Sequence, residues 1–224
     1  MRLLYIVAGG HAPPNNNNLE FYNVHSEMVR HYLQFSILED IAVSEKCTGF
    51  FSDGQSQNIA ETKEVYLENF FMELDQKFIL ENSSETIKSL PILEQQQCIF
   101  YLSEFLMIKQ VRESGVPIKC LPTEADFDES KSVEERDSII FENIVKHGNE
   151  KNIFFIGYDH KLKDFNDKPH DFQICRINVP SSYRRAITVD GLPEHLKSLF
   201  NSYIQEGLTG QVILKSKAGT ELLF

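Results

Sequence analysis

Short apolar runs alternate with long amphipathic ones along this chain. Residues 3–8 (LLYIVA), 48–53 (TGFFSD), 117–122 (PIKCLP), 152–157 (NIFFIG), 172–179 (FQICRINV) and 211–215 (QVILK) have the length and character of strands. Several are apolar throughout, as strands covered on both faces are. Between them, residues 18–43, 58–81, 85–114, 132–148 and 193–206 read as helices. In the first, Phe21, Val24, Met28, Tyr32 and Phe35 fall on one stripe of the helical period. The fourth opens on a capping box, Ser132-Val133-Glu134-Glu135, continues through Ile139, Ile140, Ile144 and Val145, and stops near Gly148. This alternation predicts an α/β fold with a mostly parallel central sheet of about six strands, flanked by helices and joined by right-handed crossovers. Residues 58–115 break the rhythm, because two long helices follow each other with no strand between. They predict a helical hairpin or cap inside a single domain spanning 1–224, and their apolar content would equally suit a homodimer interface.

At 224 residues the chain is long enough to bury a real core in one domain. The net charge of −11 argues against nucleic acid as a partner, because that affinity comes largely from Lys and Arg neutralising phosphates. Arg184-Arg185, the only short basic cluster, is too small to reverse the balance. Cys47, Cys98, Cys120 and Cys175 lie far apart with no CxxC pair, which predicts free buried thiols in a reducing compartment. LLYIVA is too short for the apolar region of a signal peptide, and no run approaches the roughly 18 apolar residues of a membrane span. The expectation is a cytoplasmic protein with no membrane partner.

In open parallel sheets, ligands sit beyond the carboxyl ends of the strands. The first four strand-like runs each end in titratable groups: Gly9-Gly10-His11, Ser52-Asp53-Gly54, Pro122-Thr123-Glu124-Ala125-Asp126, and Gly157-Tyr158-Asp159-His160. Such residues converging on one rim are what acid–base or metal chemistry requires, and histidine serves best near neutral pH. Arg136, four residues before Ile140 and in the first turn of its helix, adds a cation at the same rim. It can hold a carboxylate or phosphate or stabilise an oxyanion, or it can form a salt bridge to Asp53 or Glu124. Glu135 is the capping partner of Ser132. His25 faces the crevice with Glu20, and Tyr158 and Asp126 complete the candidate substrate-binding set. His147, His170 and His195 read as surface residues. No HExxH, GxGxxG, GxxxxGK[ST] or GxSxG motif occurs, so no preformed zinc site, phosphate loop or nucleophile elbow is signalled.

The order of Ala8-Gly9-Gly10-His11, a long helix, Phe51-Ser52-Asp53, Glu135-Arg136-Asp137 with Ile139-Ile140, and Gly157-Tyr158-Asp159-His160 resembles the erythromycin-esterase/ChaN-like superfamily, the broader group that also contains the TraB and TIKI proteins. The resemblance covers residues 3–165. It implies an α/β core with the active site at the strand ends, His11 and His160 as the two family histidines, Arg136 as the family arginine and Asp53 as the acid after the second strand. Activities in that group diverge: metal-free ester hydrolysis in the erythromycin esterases, metal-dependent peptidase activity in TIKI proteins and haem binding in ChaN. The family writes Glu where this chain has Gly9, so a water-activating carboxylate would have to come from Glu124, Glu20 or Asp159.

The leading expectation is a hydrolase-like enzyme acting on an ester, amide or phosphoester of a small molecule or peptide. His11 or His160 would act as general base, oriented by Asp159 or Asp53, with Arg136 stabilising the developing charge. The alternative is a non-catalytic protein on the same fold, whose crevice binds a small anion, a metal or haem, or whose acidic surface and helical insert engage a partner protein. A metal-dependent phosphoesterase would use His11, Asp53, Asp159 and His160 as a mixed ligand set for a divalent metal.

Overall fold

A computed structural model of the protein describes residues 1–9, 24–65, 92–124, 131–157, 159–179, 188–190, 196, 213–215 and 221–223. Five strands form the parallel core of one sheet: β1 (Arg2–Gly9), β2 (Gly49–Ser52), β3 (Lys119–Leu121), β4 (Lys151–Gly157) and β5 (Phe172–Asn178). A sixth, β6 (Thr188–Asp190), adds antiparallel to β5, giving the order β3-β2-β4-β1-β5-β6. The α/β class and the mostly parallel sheet read from the alternation are therefore present. The run at 211–215 is a strand, β7 (Ile213–Lys215), but it lies outside this sheet and pairs with β8 (Glu221–Leu223) in a two-stranded ribbon. Closing so short a loop costs little chain entropy, so the local partner wins over the distant sheet.

Four of the helical segments are α1 (Val24–Glu45), α2, described over 57–65, α3 (Ile92–Glu113) and α4 (Val133–His147); a single turn, α5 (Asp164–Asp167), precedes β5. Alternation along the strands sends side chains to opposite faces. Tyr5, Val7, Phe50, Ile153 and Phe155 meet Phe35, Leu38 and Ile41 of α1 and Met107, Ile108 and Val111 of α3. Phe35 stacks on Phe155 with ring centroids 5.0 Å apart. Leu4, Ile6, Ala8, Phe51, Phe154 and Ile156 meet Ile140, Phe141 and Ile144 of α4 on the other face. The later part of α3 is thus a layer of the core that packs along α1. The turn of the expected hairpin, and the expected helix at 193–206 apart from Leu196, lie outside the described residues.

Cys47, Cys120 and Cys175 are free and buried. Burial, with Glu45 adding its charge, pushes the Cys47 thiol up to about 12, and burial pushes Cys120 up as well. No described helix is long and apolar enough to cross a membrane.

The chain direction places the site. From β1 the connection runs over β4 to β2, whereas from β4 it runs over β1 to β5. The paired ends of β1 and β4, Gly9 beside Gly157, are therefore the switch point, the place where ligands sit in sheets of this kind. α4 brings its first turn to the same rim. Ser132 accepts from the Glu135 N–H at 3.2 Å, and Glu135 accepts from the Ser132 N–H at 2.8 Å, so the predicted capping box is formed in both directions. Replacing Ser132 with Ala should lower the unfolding free energy by about 1 kcal/mol, read as a shifted denaturant midpoint with an unchanged slope.

Candidate functional site

Arg136 and Asp137 leave the first turn of α4 in adjacent positions and do different work. The Arg136 guanidinium donates through Nη2 to Asp53 Oδ1 at 2.9 Å and to Glu124 Oε1 at 2.6 Å, and through Nε to Glu124 Oε2 at 3.3 Å. Asp53 and Glu124 are 4 % and 3 % exposed, and Arg136 itself only 16 %, so this triad is almost closed to solvent. Burial works against the guanidinium charge, and the Glu124 and Asp53 carboxylates more than offset it, holding Arg136 firmly protonated. Of the two roles read for Arg136, the structure realises the salt bridge, and to both acids at once.

Asp137 receives three donors. Lys161 N–H and Leu162 N–H reach its Oδ2 at 3.0 and 2.8 Å, and His160 Nδ1 lies 2.5 Å from its Oδ1. A carboxylate already accepting two backbone N–H groups places the imidazole proton on Nδ1, leaving Nε2 as the basic nitrogen. Nε2 faces Asp53 Oδ2 at 3.6 Å, and that same oxygen accepts the Gly157 N–H at 3.1 Å. The backbone of the turn is fixed too, since Arg176 Nη2 on β5 donates to the His160 carbonyl at 2.7 Å.

Four of the residues singled out from the sequence, Asp53, Glu124, Arg136 and His160, thus meet at one place. The acid that orients His160 is Asp137 and not Asp159, whose side chain is exposed. His11, Glu20, Asp126 and Tyr158 lie outside the described residues, as does the side chain of His25 within α1. His170, expected at the surface, is half buried among Phe141, Phe165 and Phe172, with Nε2 on the Phe165 carbonyl at 2.6 Å.

Asp137 had a sequence signal of its own. It stands on the stripe of α4 that also buries Ile140, Phe141 and Ile144. Gln34 and Gln55 had none. Gln34 of α1 is fully buried and its amide fills the space over Gly9, where a Cβ would come within 1.4 Å of Nε2. Gln55 fixes the approach of Glu124: its carbonyl accepts the Thr123 and Glu124 N–H groups at 2.7 and 3.1 Å, and its amide donates to the Leu121 carbonyl at 2.6 Å.

The arrangement can hold a proton on a defined nitrogen and set carboxylates on both sides of the ring. Among the described residues, no group of three or more His, Cys, Asp or Glu is arranged to hold a metal ion. Comparison with protein-family models, with curated proteins and with solved structures found no match.

Replacing Arg136 with Met would leave two buried carboxylates without their cation. Stability should fall by about 3–5 kcal/mol. Protonating either acid relieves the uncompensated charge, so the folded variant takes up protons more readily than its unfolded chain. Its deficit against the wild type should therefore shrink as the pH falls from about 7 to about 4, measured by chemical denaturation at each pH.

Proposed function

We propose that this chain is a hydrolase in which His160 acts as general base on water. The observation that carries the reading is the buried Asp137–His160 pair, 2.5 Å apart, at the switch point of a parallel sheet. Asp137 fixes the tautomer and ring orientation and would stabilise the imidazolium once Nε2 has taken a proton, as an aspartate does for a catalytic histidine elsewhere. Arg136 acts here as the anchor that holds Asp53 and Glu124 in place, and the charge on a scissile group is left to other donors at the rim.

Charge narrows the substrate. Among the described residues, Asp53, Glu124 and Asp137 contribute three carboxylates at the core of the site, against the guanidinium groups of Arg136 and, on the His160 carbonyl, Arg176. A dianionic phosphoester would meet that field unfavourably, which supports a neutral ester or amide. The resemblance of Ala8–His11, Glu135–Asp137 and Gly157–His160 to the erythromycin-esterase/ChaN-like motifs points the same way.

One observation favours a second reading, binding without turnover. The Gln34 amide occupies the volume over Gly9, so β1 itself delivers no carboxylate to the rim. The same crevice would then hold a small polar ligand and leave it intact.

Wild type, His160→Gln and Asp137→Asn should be compared on p-nitrophenyl esters, anilides and phosphates. On the substrate that wild type turns over, His160→Gln should lose about 10²–10⁴ in kcat, and Asp137→Asn should fall with it because the amide no longer enforces the tautomer. Equal rates in all three proteins would remove His160 from the chemistry. Thermal stabilisation by a ligand that is never consumed would move the assignment to binding.

A further inference from the structure

β3 is the outer strand of the sheet. β2 pairs along one side of it, and among the described residues no strand pairs along the other. In this parallel register Lys119 faces β2, with its N–H on the Thr48 carbonyl at 3.0 Å. The outward backbone groups therefore belong to Ile118 and Cys120. Two of them, the Cys120 N–H and the Ile118 carbonyl, are capped by side chains. Cys120 N–H donates to Glu64 Oε1 at 2.6 Å. The Ile118 carbonyl accepts from Arg112 Nε and Nη2 at 3.0 and 2.9 Å. Arg112 Nη2 also grips Glu64 Oε2 at 2.5 Å, so one ion pair spanning α2 and α3 covers an outer donor and an outer acceptor together.

Those two groups have a special relation. When two antiparallel strands meet with residue i opposite residue j, one type of bridge joins the carbonyl of i−1 to the N–H of j+1 and the carbonyl of j−1 to the N–H of i+1. If Lys119 of one copy stands opposite Lys119 of another, the four groups required are Ile118 C=O and Cys120 N–H from each. The capped pair is thus the full set needed for two copies to join their sheets across a twofold axis. Lys119 is exposed and would face its own copy, where like charges directly opposite are unfavourable.

We propose that the Glu64–Arg112 pair, aided by Lys119, is an edge guard that keeps β3 from pairing with β3 of a second copy of this chain. The carboxylate stands in for the carbonyl of the absent neighbour and the guanidinium for its N–H. Bare edges are templates for such pairing, and a side-chain plug closes the template without adding a strand. An ion pair that merely fastened α2 to α3 would have no reason to cover both members of one bridge.

The test compares the masses of full-length wild type, Glu64→Ala/Arg112→Ala and the same double variant carrying Lys119→Thr, by sedimentation velocity from low to several hundred micromolar. The guard requires the double variant to associate with rising concentration toward twice the wild-type mass. Adding Lys119→Thr should tighten that association about two- to fivefold, as relief of one like-charge pair allows. Adding Cys120→Pro, which deletes the pairing N–H, should return the wild-type mass. Folded variants, by circular dichroism, that keep the wild-type mass at every concentration overturn the proposal. Should the double alanine variant fail to fold, Arg112→Met/Lys119→Thr, which keeps the aliphatic stem over the strand and uncovers the Ile118 carbonyl, is read by the same two outcomes.

Discussion

One guanidinium held between two buried carboxylates organises the carboxyl-end rim of the sheet. Asp53 follows β2, Glu124 follows β3 and Arg136 begins α4, so their contact ties three separate chain segments at one rim. Desolvating three charges is costly, and well-packed apolar side chains could hold the same segments at least as firmly. What the ions add is direction. A guanidinium accepts its partners only in its own plane and at hydrogen-bond distance, so the ends of β2 and β3 are set relative to α4 more narrowly than packing would set them. Gln55 reinforces this from below by binding the backbone on which Glu124 hangs.

The position of His160 follows from that frame. α4 cannot slide without moving Asp137, and Asp137 holds both the imidazole and the two N–H groups that follow it. Arg176 then fixes the same turn from β5. The histidine is thus oriented by elements on both sides of the switch point, the preorganisation that the proposed proton transfer would need. At 2 % exposure it is also well sheltered from solvent.

Much of the fold could be read from the residues because each local signal agreed with the global one. α4 is the clearest case, with its cap, its apolar stripe and its terminal glycine all indicating the same helix. Strands buried on both faces announced a parallel sheet through their unbroken apolar runs. The ribbon at β7 and β8 shows where pattern fails: a short strand says nothing about which neighbour will claim it. At the rim, the residue types were legible and their pairing was not. Asp159 is adjacent to His160 in the chain, yet Asp137, 23 positions away, makes the contact. Sequence proximity favours a neighbour, whereas a tight turn points successive side chains apart. Gln34 was invisible for a related reason, since its importance comes from the empty space over a glycine on another element.

The buried thiols carry a consequence of their own. Sulfur reacts with oxidants and alkylating agents as the thiolate. Cys47 and Cys120 sit in the same apolar layer beneath α1 and α3, and burial disfavours ionisation of both. Solvent reagents therefore react with them slowly while the helices stay packed. The molecule contains a chemical clock that stays silent while its layers are closed and starts when they part.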